Sequence, residues 1–154
     1  MISKHLDALL PYISLYVIIL SIVSYACVIL FAQPLALAQS NNGTNGDDKL
    51  MGSPGDDFIF GDYGNDLIKG GSGSDHLNGG PGDDTIYGGE GGDFIQGADG
   101  NDRLIGDAGN DRIVGGPGAD KFDCGAGRDV VEDFNAKEGD TYSANCELIE
   151  LDND

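Results

Sequence analysis

From residue 43 onward an apolar side chain returns at every ninth position: Leu50, Ile59, Ile68, Leu77, Ile86, Ile95, Leu104, Ile113, Phe122 and Val131. Side chains alternate across a strand, so a three-residue strand turns its middle member to a core and its neighbours outward. The six residues between one such strand and the next are rich in Gly, Asp, Asn, Pro and Ser, which is turn composition. Ten short strands joined by turns of constant length are therefore predicted, without a single insertion.

The pattern upstream is of another kind. Lys4 and His5 precede a mostly apolar stretch from Ile13 to Phe31, and "LALAQS" then places small residues at Ala36 and Ala38. A charged start, an apolar middle and an Ala-x-Ala end describe a signal peptide over residues 1–38, cleaved after Ala38. The nineteen residues 13–31 are also nearly long enough to cross a bilayer, so an uncleaved membrane anchor is the alternative. Either way the rest of the chain is expected outside the cell, and residues 39–42 form a linker.

Charge narrows what the repeat can do. The 154 residues carry a formal net charge of -19 and 26 glycines, close to a composition that cannot offset the entropy of ordering by burying apolar surface. Something besides an ordinary core must hold the chain. Such acidity repels phosphate, which excludes nucleic acid as a partner and favours cations. Aspartate outnumbers glutamate 22 to 5, a bias that solubility alone would not produce.

Set out in nines from Gly43, the chain is a column of ten units such as GSPGDDFIF and GGPGDDTIY. The first position is Gly in nine units, the fourth is Gly in ten and the sixth is Asp in ten. Left-handed conformations and close backbone approach, both of which Gly permits, are expected through the first six positions. Pro54, Pro81 and Pro117 all fall at the third, where a fixed φ suits a turn. Ca²⁺ takes six to eight oxygens at roughly 2.3 to 2.6 Å, and a short carboxylate beside exposed turn carbonyls delivers them. Stacked carboxylates repel when no cation lies between them, so metal and fold should be coupled.

A period of nine with G-x-G-x-D-x-U spacing marks a calcium-binding parallel β-helix. Residues 43–132 resemble the RTX (repeats-in-toxin) nonapeptide family of exported bacterial and archaeal proteins. That resemblance implies an all-β fold, a right-handed parallel β-roll of about five coils with two units per coil, and Ca²⁺ held between adjacent turns. Asp48, Asp66, Asp84, Asp102 and Asp120 would stack along one edge, and Asp57, Asp75, Asp93, Asp111 and Asp129 along the other. Four gaps in each column give roughly eight ions at most. The segment "VVEDFNAKEGD" resembles the D-F-x-x-x-x-G-D stretch that often follows such repeats, and residues 133–154, with "CELIEL" as a last strand, would cap the stack. The tenth unit departs from the pattern, with Cys124 for the first Gly and Arg128 before the aspartate, which weakens the case for calcium at Asp129. Cys124 and Cys146 are the thiols that remain after cleavage, either paired in an oxidising compartment or free.

No catalytic arrangement stands out. There is no His-Glu-x-x-His, the glycine strings lack a following helix and a P-loop lysine, and the acid pair Asp83 and Asp84 recurs at the same place in other units, as Asp47 and Asp48 and as Asp56 and Asp57. The chain is therefore not expected to be an enzyme. Phe58, Phe60, His76 and Phe94 should share one outer face, as a partner-binding patch or as simple cross-strand stacking, and Lys49, Lys69, Arg103 and Lys121 the opposite one. The leading expectation is a secreted calcium-binding module that folds where Ca²⁺ is plentiful. The alternative is a cell-surface structural or adhesive protein that uses the rigid roll as a scaffold, with its protein or surface partner unknown.

Overall fold

A computed structural model of the chain describes residues 40–151. The expected signal peptide or anchor lies outside the described residues, and among those described no helix is long and apolar enough to cross a membrane. Thirteen strands follow one another: β1 (Ser40–Asn42), β2 (Lys49–Met51), β3 (Phe58–Phe60), β4 (Leu67–Ser72), β5 (His76–Asn78), β6 (Thr85–Glu90), β7 (Phe94–Gln96), β8 (Arg103–Ala108), β9 (Arg112–Val114), β10 (Lys121–Asp123), β11 (Val130–Phe134), β12 (Thr141–Tyr142) and β13 (Leu148–Leu151). Odd strands form a seven-stranded sheet and even strands a six-stranded one, each in simple sequence order. Every pairing is parallel, and within the repeats each residue faces the one eighteen further on, as Ile59 faces Leu77 and Ile86 faces Leu104. The chain thus winds as a parallel β-solenoid, a β-roll with two nonapeptides per coil.

The core is the eighth-position column. Ile59, Ile68, Leu77, Ile86, Ile95, Leu104, Ile113 and Val131 are sealed from solvent, with Leu50 and Phe122 nearly so. Residues at the seventh and ninth positions turn outward, with one exception: Ile105, at a ninth position, is buried. The stack also runs beyond the five coils expected. At the N-terminal end β1 adds a strand beside β3. At the other end β12 joins β10 with a spacing of twenty residues instead of eighteen, Lys121 facing Thr141, and β13 joins β11.

Glycine is needed for two separate reasons, and left-handed backbone does not extend through all of the first six positions. The second and fourth positions carry the positive φ, for example Gly80 at 103° and Gly82 at 150°. The first-position glycines have no such φ. A Cβ on Gly61, Gly79 or Gly97 would strike both the aspartate of its own unit and the carbonyl of the next coil. Crowding, not dihedral preference, excludes a side chain there.

Aromatic contacts finish the structure. Phe134 lies 6.2 Å from Phe122 and 5.3 Å from Tyr142 between ring centroids, closing the C-terminal end of the core. A disulfide joins Cys124 to Cys146 beside it, with Cα atoms 5.1 Å apart. On the outer face of the odd sheet, Phe58 stacks on His76 at 5.7 Å and His76 on Phe94 at 4.7 Å. Arg112 covers Phe94 at 5.3 Å and pairs with Glu132 at 2.6 Å. The aromatic patch is therefore a cross-strand ladder. Lys49, Lys69, Arg103 and Lys121 lie on strands of the even sheet.

Candidate metal centre

The ten sixth-position aspartates form two files, as the spacing implies. Asp48, Asp66, Asp84, Asp102 and Asp120 precede the even strands, and Asp57, Asp75, Asp93, Asp111 and Asp129 the odd ones. From Asp57 onward all are 3 % exposed or less. An aspartate so deep needs partners for both carboxylate oxygens.

One oxygen is spoken for. In each file Oδ1 accepts the backbone N–H of the aspartate one coil earlier: Asp48 donates to Asp66, Asp66 to Asp84, Asp84 to Asp102 and Asp102 to Asp120, at 2.7 to 2.8 Å. Asp57, Asp75, Asp93 and Asp111 donate down the other file at 2.8 to 2.9 Å. Each carboxylate therefore pins its own turn to the preceding one.

The other oxygen divides the files. Asp48 and Asp57, which begin them, satisfy Oδ2 locally, from the backbone N–H of Thr44 and of Ser53 at 2.6 Å. In Asp66, Asp75, Asp84, Asp93, Asp102, Asp111, Asp120 and Asp129, Oδ2 is buried with no hydrogen-bond partner. A charged oxygen in that condition costs several kcal/mol unless something neutralises it. Burial accordingly pushes Asp84, Asp93 and Asp120 up to about 6 and Asp102 and Asp111 up to about 7, with Asp66 and Asp75 also raised. The Oδ1 hydrogen bond pulls each value back, and the neighbouring aspartate's charge adds to the rise.

Beside six of these eight Oδ2 atoms the space has a second oxygen in its wall. At Gly61, Gly70, Gly79, Gly88, Gly97 and Gly106 the position a Cβ would fill is flanked by Oδ2 of the same unit and by the first-position carbonyl of the next coil. An unpartnered carboxylate oxygen facing a backbone carbonyl across a small gap repels it; a hard cation between them would attract both. Among the described residues no three His, Cys, Asp or Glu side chains converge. Carboxylates alone make no site, and carbonyl oxygens have to supply the remaining ligands, as a Ca²⁺ site permits. These residues fit that ion.

A family model for the RTX calcium-binding nonapeptide repeat (4 copies) matches residues 42–77, 60–95 and 96–131. The chain belongs to this RTX family. No curated protein matches it.

Two features of this RTX roll escaped the sequence reading. At the fifth position, Asp47, Asp56, Asn65, Asp83 and Asn101 each accept the backbone N–H of the fifth residue one coil later. This second ladder points the opposite way to the Oδ1 ladder, and its signal was the run of Asp and Asn in that column. The other feature is Asp140, which is buried and continues the file of Asp120 by accepting its N–H at 2.9 Å. Its Oδ2 accepts from Asn135 at 2.8 Å, so that file ends on a satisfied carboxylate. The two-residue insertion before it hid the register.

Proposed function

We propose that this RTX protein is an exported calcium-binding roll that folds as Ca²⁺ enters between its stacked turns. The reading is carried by the eight buried Oδ2 atoms without a partner, one in every coil of each file after the first. Asp48, Asp57, Asp66, Asp75, Asp84, Asp93, Asp102, Asp111, Asp120 and Asp129 line the turns, and up to about eight ions would be held by the latter eight with turn carbonyls. The ion supplies positive charge where the fold has placed uncompensated negative charge, so binding free energy becomes folding free energy. Inside a producing cell, where free Ca²⁺ is scarce, the chain would stay unfolded, and outside it would wind. No residue is assigned a catalytic role.

The test is circular dichroism of the purified chain during titration with Ca²⁺. A change from coil to β is expected with Ca²⁺ and a much weaker one with Mg²⁺, which sheds water reluctantly and demands strict octahedral geometry. A full β spectrum in excess chelator would falsify the proposal.

A further inference from the structure

Three Asn-Gly pairs occur in the chain, at Asn42–Gly43, Asn45–Gly46 and Asn78–Gly79. In such a pair the glycine nitrogen is the least shielded in a backbone, because no Cβ stands beside it. Once deprotonated, it can attack the carbonyl carbon of the asparagine side chain. The roll treats the three pairs differently. Gly43 donates its N–H to the Phe60 carbonyl at 2.7 Å and Gly79 to the Gln96 carbonyl at 2.9 Å, so both nitrogens are committed to the next coil. The Asn78 side chain is held as well, donating to Gln96 at 3.0 Å.

Gly46 is the exception. From Gly55 to Gly109 every fourth-position glycine donates to the third-position carbonyl one coil later, as Gly55 does to Ser72 at 2.6 Å and Gly64 to Pro81 at 3.1 Å. Gly46 makes no such bond to Tyr63, and its N–H has no other partner among the described residues. Nor does it share the positive φ of Gly55 and Gly64, which is 148° and 125°. Asn45 and Gly46 are both exposed, and a Cβ on Gly46 would meet nothing within 4 Å. The first turn thus leaves its asparagine and the nitrogen behind it free to meet.

We propose that Asn45 is a site of spontaneous deamidation in the folded roll. The Gly46 nitrogen gives its proton to solvent base and bonds the Asn45 side-chain carbonyl carbon; the amide nitrogen takes up a proton and leaves as ammonia. Water then opens the succinimide ring at one carbonyl or the other. The product is aspartate at position 45, or an isoaspartyl linkage in which the main chain runs through the former side chain. Nothing is oxidised or reduced, and water is the only co-reactant. Either product adds one negative charge to the turn that holds Asp47 and Asp48. The isoaspartyl form also lengthens the backbone by a methylene, at a nitrogen with no bond to lose. The first turn can therefore change chemically while the coils after it stay wound.

The experiment incubates the purified chain at mildly alkaline pH in Ca²⁺, with β structure followed by circular dichroism. Peptides are mapped by mass spectrometry and isoaspartate is assayed by enzymatic methylation. Asn45 should convert at least roughly tenfold faster than Asn42 or Asn78, whose glycines must first break a bond to the next coil. Asn45→Pro, which copies the third position of three other units, should remove the early product. Gly46→Ala should slow it without loss of β structure, since that Cβ has open space. In guanidinium the three pairs should converge on similar rates. Conversion of Asn45 no faster than that of Asn42 and Asn78 in the folded chain overturns the proposal. So does a spread of rates that survives guanidinium, which would assign the difference to neighbouring sequence instead of the roll. Neither result bears on calcium binding by the aspartate files.

Discussion

At the level of single residues, the second position of each turn shows what the repeat tolerates and at what cost. Ala98 holds φ at 83° where five of the ten units have Gly. A non-glycine residue in left-handed backbone is strained by about 1–2 kcal/mol. Replacing it by Gly releases that strain but enlarges the entropy of the unfolded chain by about 0.4–1 kcal/mol. Ala98→Gly should therefore stabilise the roll slightly, by about 0.5–1 kcal/mol, read as a rise in thermal midpoint in Ca²⁺. Gly100→Ala should do the reverse and more strongly, since its Cβ would overlap the carbonyl of Gly82 at a φ of 147°. The sequence displayed the glycine columns plainly, but the two causes behind them were not separable from it. Crowding at the first position depends on where the next coil's carbonyl lies, and no single unit shows that.

Among turns and strands, one carboxylate performs two tasks that a substitution can divide. Asp93 pins its coil through Oδ1 and would hold an ion through Oδ2. Asp93→Asn keeps an acceptor for the hydrogen bond and loses the charge. Without metal, burial makes that charge unfavourable and raises the carboxyl to about 6. The variant should then be the more stable protein in chelator, by on the order of 1 kcal/mol once solvent screening is allowed for, and the less stable one in Ca²⁺. Residual β structure by circular dichroism in chelator, and the denaturation midpoint in Ca²⁺, should show the order reverse; the same order in both would mean that Oδ2 meets no cation. The aspartate column was legible because it never varies. The fifth-position ladder was not, although Asp47, Asn65 and Asp83 stood in register, because an exposed acid looks like solubilising charge until its backbone partner is seen. The capping register was hidden by the two extra residues before Asp140.

For the molecule as a whole, the raised carboxyls fix how acidity acts on the metal-free roll. An unfolded aspartate gives up its proton near 3.8, whereas Asp84, Asp93, Asp102, Asp111 and Asp120 hold theirs to about 6 or 7 when folded. Between those values the native state binds more protons than the unfolded one, so this contribution to stability is lost as pH rises. In chelator, lowering the pH from 7.5 to 5 should increase β structure. In Ca²⁺ the same change should raise the concentration of metal needed for folding, because protons compete for the same oxygens. A chelated chain equally unfolded at both values would place those carboxylates in solvent.

The eighteen-residue return of the chain onto itself also gives its gene a kind of parity. Any nonapeptide can follow any other without disturbing the core or the aspartate files, because both recur every nine residues. The outer faces recur only every second unit. Gaining or losing one unit between His76 and Phe94 would send everything downstream to the opposite sheet and cut the aromatic ladder at that point. Recombination among the repeats in steps of eighteen codons keeps each face with its own residues. Steps of nine would still wind, and would deliver a roll whose two sides have exchanged identities halfway along.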